Sequence, residues 1–194
     1  MAIQDSPTRV GMALADYIAQ QGEAPFEIID GAIIAMAPSV FGSGEVARVL
    51  LEALFAYNAA RQQVRIYSDT AFVLPDTADT GWVTGARIPD VMVYDRARLE
   101  AYQAAQPDWR NKPLMLAPDL AVEIISPTDP LPKVWRKAAG YLEDGVHLAW
   151  VINPMRQQVT IFAEGEAPIT LDQTAHLNGD SVLTGFTMRI ADLF

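Results

Sequence analysis

Apolar residues recur along this chain at two different periods. Between Glu45 and Ala60, Val46, Val49, Leu50, Ala53, Leu54 and Tyr57 fall on one side of a helical repeat, which predicts an amphipathic helix. Thr8 to Gln20 has the same period through Val10, Leu14, Tyr17 and Ile18, with Gly22 as its stop. A short helix is predicted over Arg96–Ala105. Another runs from Leu131 to Glu143, with Asp129 as cap, Pro130 in the first turn and Gly145 as terminator.

The second period is that of strands. Phe26–Ile29 and Ala32–Met36 flank Asp30-Gly31, a strong hairpin signal. Further strands are predicted over Val64–Leu74, at about 87–94 and 119–126, over Leu148–Ile152 as a central strand and over Gln157–Ala163 as an outer one, with one or two more in the tail. Pro38–Gly44, Pro75–Gly85 and Gln106–Pro118 read as loops. Early strands pair locally and later ones alternate with helices, so the class is α/β (α+β) with a mixed sheet.

Composition narrows the chemistry. A chain of 194 residues, 51% hydrophobic and 20% charged, with no repeat or long linker, reads as one domain over 1–194 with a substantial core. Cysteine is absent and histidine occurs only at His147 and His176, so thiolate and histidine-rich metal sites are excluded. Oxygen ligands remain, which suit magnesium, manganese or calcium. The net charge of −10 weighs against non-specific nucleic-acid binding, although Arg87, Arg110, Lys112, Lys133, Arg136 and Lys137 cluster mid-chain. Met1–Pro7 does not read as a signal peptide and no apolar run reaches the roughly 20 residues of a membrane span, so the expected location is the cytoplasm.

Two carboxylates interrupt apolar runs. Asp90 lies in Arg87-Ile88-Pro89-Asp90-Val91-Met92-Val93-Tyr94, and Glu123 in Leu120-Ala121-Val122-Glu123-Ile124-Ile125-Ser126. A buried carboxylate must be hydrogen-bonded, paired, neutralised or metal-bound. If the two strands are neighbours, Asp90 and Glu123 supply two oxygen ligands to a divalent ion and the Ile124 carbonyl a third. Lys133, Lys137 and Tyr141 are spaced by four, so they line one face of the following helix. A metal beside a cation is the equipment for phosphodiester hydrolysis. The competing reading is structural, with both carboxylates held as ion pairs by Arg87 and Lys137.

The same residues carry a family resemblance over nearly the whole chain. Phe26-Glu27-Ile28-Ile29-Asp30-Gly31, Pro38-Ser39, Pro89-Asp90-Val91, Val122-Glu123-Ile124-Ile125-Ser126-Pro127, Lys137 with Tyr141 and Gly145-Val146, Trp150-Val151-Ile152-Asn153-Pro154 and Gly179–Phe194 follow in order. The chain resembles the Uma-two family of putative endonucleases, a branch of the PD-(D/E)xK superfamily. The resemblance implies a restriction-endonuclease-like mixed sheet flanked by helices, with an N-terminal hairpin and extra C-terminal strands. It also implies Asp90 and Glu123 as catalytic metal ligands for Mg2+ or Mn2+, with DNA as substrate. The superfamily's lysine would stand where this chain has Ile125, so its role passes to Lys137. Glu45 is a weaker match to an extra acidic residue, and a solvated helix-start glutamate explains it better. Gly44 and Asn153 stand where the family often has histidine and aspartate.

Other signals are weak. Gly42-Ser43-Gly44 lacks a full phosphate-loop pattern, and Ser43 and Ser126 lack a nucleophile-elbow pattern. Trp82, Trp109, Trp135 and Trp150 read as packing residues before base-stacking platforms, Trp109 beside Arg110 in a polar loop being the candidate exception. A catalytically silent nuclease fold used for binding or regulation is the alternative to a DNA endonuclease, and a phosphoesterase acting on a smaller substrate is a third reading. A homodimer is expected, because a nuclease domain this small often needs a second copy to cut two strands.

Overall fold

A computed structural model describes residues 9–36 and 40–194; Thr8 and the Pro38-Ser39 match lie outside them. Its elements in chain order are β1 (Met12–Ala13), α1 (Leu14–Glu23), β2 (Phe26–Ile29), β3 (Ala32–Ala35), α2 (Phe41–Arg61), β4 (Val64–Ser68), β5 (Phe72–Pro75), β6 (Trp82–Arg87), β7 (Val91–Asp95), α3 (Arg96–Ala105), β8 (Leu120–Ile124), α4 (Leu131–Glu143), β9 (Leu148–Asn153), β10 (Gln158–Ala163), β11 (Ile169–Asp172), β12 (His176–Gly179) and β13 (Leu183–Arg189).

Six strands form the main sheet in the order β11-β10-β9-β8-β7-β4. Only β8 and β9 run parallel, as the intervening α4 requires. Alternation sends Val91, Val93, Leu120, Val122, Leu148 and Trp150 to one face, where α2 and the β12–β13 ribbon cover them. Met92, Tyr94, Ala121, Ala149 and Val151 take the other face, under α4 with Ala138 and Tyr141. A second sheet joins β1, β6, β2 and β3, with β5 also paired to β6. It has its own small core around Tyr17, Phe26, Ile28 and Val83.

The predicted hairpin forms as β2–β3, with Asp30 at φ 51° and Gly31 at φ 78°. These left-handed values suit an Asp-Gly turn between twisted strands. Gly145 ends α4, as its position predicts. At φ +93° it lets its own N–H reach the Leu142 carbonyl and the Val146 N–H reach the Tyr141 carbonyl.

Several boundaries move. The N-terminal helix starts at Leu14, not Thr8, because a side chain at Gly11 would lie 2.0 Å from the Val83 carbonyl, and the chain pairs with β6 first. Gly22 does not stop it. The helix continues to Glu23, and Pro25 forces the preceding Ala24 into extended backbone. Val64–Leu74 is two strands in two sheets, broken where Asp69 turns left-handed at φ 48°. The supposed loop over Pro75–Gly85 contains the start of β6. Gly85 there admits Leu74, whose Cδ1 would stand 2.9 Å from an added Cβ. The long helix begins at Phe41, inside the predicted Pro38–Gly44 loop. Pro130 precedes α4 and Pro132 occupies its first turn, while Asp129 caps nothing and accepts the Ser126 N–H at 2.7 Å. β10 is not an outer strand, since β11 pairs beyond it; the tail holds three strands, not one or two.

Candidate functional site

The predicted strand over 87–94 breaks at Ile88-Pro89-Asp90, where the chain leaves the second sheet and enters the main one. Pro89 has no N–H to give a ladder, which suits this corner. Asp90 therefore stands one residue ahead of β7. The antiparallel register pairs Val91 with Val122, so the next step places Asp90 opposite Glu123. Asp90 Oδ2 accepts the Ile124 N–H at 2.6 Å, which pins one carboxylate to the backbone just after the other.

Glu123 points to the α4 face with Ala121. There it meets Lys137, whose Nζ lies 2.8 Å from Glu123 Oε1. The Tyr141 hydroxyl donates to the same oxygen. One helical turn separates Lys137 from Tyr141, so one face of α4 delivers both. The Lys137 ammonium is also 2.9 Å from Glu27 Oε1, brought in by the hairpin from the second sheet. Glu27 is 3% exposed and accepts the Ile88 N–H at 2.7 Å. Beside it, Arg87 turns away to a largely buried ion pair with Asp144 at 2.6 Å.

The cluster holds more negative than positive charge. Burial pushes the Asp90 carboxyl up to about 6; the Ile124 N–H and Lys137 pull it back, while Asp69 and Asp129 raise it further. Burial likewise pushes Glu123 up to about 7, opposed by Lys137 and reinforced by Asp90 and Glu27. For Lys137, burial disfavours the ammonium, but Glu123 and Glu27 outweigh it and hold the group above its ordinary value. Tyr141 is raised by burial and by the Glu123 charge.

The structure thus brings Asp90, Glu123, Ile124, Lys137 and Tyr141 together. Lys133 lies one turn before Lys137, exposed, with no carboxylate within 4 Å among the described residues. Glu45 does not join the cluster: it lies on α2, against the opposite face of the main sheet, paired with Arg48 at 2.6 Å. The ion-pair reading holds for Glu123, through Lys137, but fails for Asp90, because Arg87 is committed to Asp144. Gly44 faces open space, so nothing in the packing requires glycine there. Asn153 accepts the Arg156 N–H at 3.1 Å and closes the turn after β9.

Sequence reasoning missed Glu27 as a site residue. Its signal was present, because Phe26-Glu27-Ile28-Ile29 carries the same acid-in-apolar-strand pattern as Val122-Glu123-Ile124-Ile125. Only the packing of hairpin on sheet brings the two glutamates to one ammonium.

Among the described residues no group of three or more His, Asp or Glu side chains is arranged to hold a metal ion. The donors fit a sparser site of two carboxylates, with backbone, water and substrate oxygens completing the shell. Asp90 supports that fit, since its carboxylate accepts the Ile124 N–H and has no cation within 4 Å among the described residues.

A family model described as "Uma2: Putative restriction endonuclease" matches residues 14–191. Among solved structures, the chain is similar to a crystal structure of a putative nuclease belonging to DUF820 from Anabaena variabilis ATCC 29413. The TM-score is 0.76 at 20% identity, over 94% of this chain and 97% of that one. This likeness concerns the fold. No curated protein matches the sequence. No helix among the described residues is long and apolar enough to cross a membrane.

Proposed function

The chain belongs to the Uma2 (Uma-two) family of putative restriction endonucleases, and from that premise we propose that it is a metal-dependent endonuclease that hydrolyses DNA phosphodiester bonds. Asp90 and Glu123 would hold Mg2+ or Mn2+, with the Ile124 carbonyl as a further oxygen. When bound, the ion supplies Lewis acidity toward a phosphoryl oxygen and the attacking water. Asp90 is oriented by the Ile124 N–H and Glu123 by Tyr141. Lys137, on the same carboxylate as Tyr141, would stabilise charge developing on a phosphate. Glu27 positions Lys137 from the hairpin side. The observation that carries the reading is this convergence of Asp90, without an ion-pair partner among the described residues, with a Glu123–Lys137 pair at one strand junction.

Plasmid cleavage with magnesium or manganese tests it. Asp90→Asn should abolish cleavage. Lys137→Ala should lower the rate while changing manganese affinity less, because the lysine acts on the phosphate and not on the ion. Equal cleavage by wild type and Asp90→Asn would refute the site. No cleavage by wild type, with no calorimetric manganese binding, would favour a silent binding fold.

We also propose a homodimer through the edge of β3, which pairs only with β2 among the described residues. Ala32-Ile33-Ile34-Ala35 is exposed and uncharged, and it reads the same in both directions. An antiparallel two-fold pairing would set Ile33 against Ile34 of the second copy. Sedimentation should show a dimer that Ile33→Lys dissociates; a monomeric wild type would refute this.

A further inference from the structure

Beside the candidate site runs a groove of about 590 Å³ between α1, α3, the β4–β5 turn and the stretch Trp109–Leu114. Tyr17, Tyr67, Thr70, Gln103, Trp109 and Arg110 line it. Three of these are aromatic. Arg110 is exposed, and its guanidinium lies over the Trp109 ring at 4.5 Å from the centroid. In a chain of net charge −10 most cations are spent on carboxylates, Lys112 on Asp108 for example. Arg110 has no carboxylate within 4 Å among the described residues. Tyr17 is 1% exposed, and its hydroxyl has no hydrogen-bond partner among the described residues.

The groove adjoins the carboxylate cluster on two sides. Tyr17 packs edge-on against Phe26 at 5.4 Å between ring centroids, and Phe26 is the chain neighbour of Glu27. Ser68 pairs with Val91, so the β4–β5 turn begins beside Asp90, and Thr70 and Ala71 of that turn line the groove. The Thr70 end of the groove therefore lies next to the strand junction that carries Asp90.

We propose that this groove holds an unpaired nucleobase beside the cleaved phosphate, stacked on the Trp109–Arg110 pair, so that the substrate class is DNA with single-stranded character. The proposal rests on the nuclease reading for the identity of the neighbouring site. The chemistry is specific to an exposed base. Aromatic and guanidinium planes offer stacking surface, and the Gln103 amide offers hydrogen bonds to a base edge. A paired duplex hides its base faces from such a platform. The free Arg110 also suits the adjoining phosphate.

The test is fluorescence anisotropy of the full chain in EDTA, which prevents cleavage, with a labelled single strand and its matched duplex. The single strand should bind at least about tenfold more tightly, and Trp109→Ala should remove about that factor, in line with the stacking contribution per base. Trp109→Phe should restore most of it. Arg110→Glu, at an exposed position that leaves the fold intact, should also weaken the single strand more than the duplex. Equal single-strand affinity in wild type, Trp109→Ala and Arg110→Glu would overturn the groove, even if magnesium-dependent cleavage is intact. Trp109-dependent single-strand binding without any cleavage would keep the groove and refute the nuclease reading instead.

Discussion

Replacing Asp90 by asparagine should make the metal-free protein more stable, and only above a defined pH. The folded carboxyl titrates at about 6, pushed up first by burial, against about 3.9 in an unfolded chain. A carboxyl raised in this way favours the fold fully below its unfolded pKa, and that contribution is lost as pH rises through the folded value. Wild type should therefore lose stability relative to the asparagine variant between about pH 4 and pH 6–7, while Glu123, also raised, titrates in both. Two units correspond to roughly 3 kcal/mol, and partial exposure of Asp90 reduces this to about 1–3 kcal/mol. Asparagine keeps a carbonyl oxygen for the Ile124 N–H, so the strand junction is preserved. Thermal unfolding in EDTA should show the variant melting about 2–12 °C higher at pH 7.5, and with little difference near pH 4.5. Magnesium at about a hundred times its Kd should then stabilise wild type by about 2.7 kcal/mol and close the gap. A difference that stays constant across pH, or a variant less stable at pH 7.5, would show that Asp90 is not an uncompensated buried charge.

Further variants probe the surrounding contacts. Tyr141→Phe removes the donor to Glu123 and should lower stability by about 1–3 kcal/mol in urea titrations, with a reduced cleavage rate. Arg87→Ala strands Asp144 in a largely buried position and should destabilise by about 3–5 kcal/mol, read as a lower urea midpoint. Gly44→His enters open space within α2 and should leave stability within about 0.5 kcal/mol of wild type by thermal melting.

Much of the architecture is legible in one dimension because it rests on local rules. The Asp30-Gly31 hairpin, the bounds of α3 and α4 and the stop at Gly145 need only backbone preferences and a periodic apolar stripe. The cost of placing an acid in an apolar strand marked Asp90 and Glu123, and the four-residue spacing put Lys137 and Tyr141 on one helix face. Tertiary structure decided what local rules cannot reach. Gly11 breaks a periodic helix because a strand distant in sequence passes against its backbone, and Asp69 divides an apolar run between two sheets. Glu27 joins Glu123 at Lys137 across ninety-six residues, and Arg87 leaves Asp90 for Asp144. Periodicity states which side of an element is apolar. Which charges share the buried space between two such sides depends on how the sheets and helices pack, and that is settled only when the whole chain has folded.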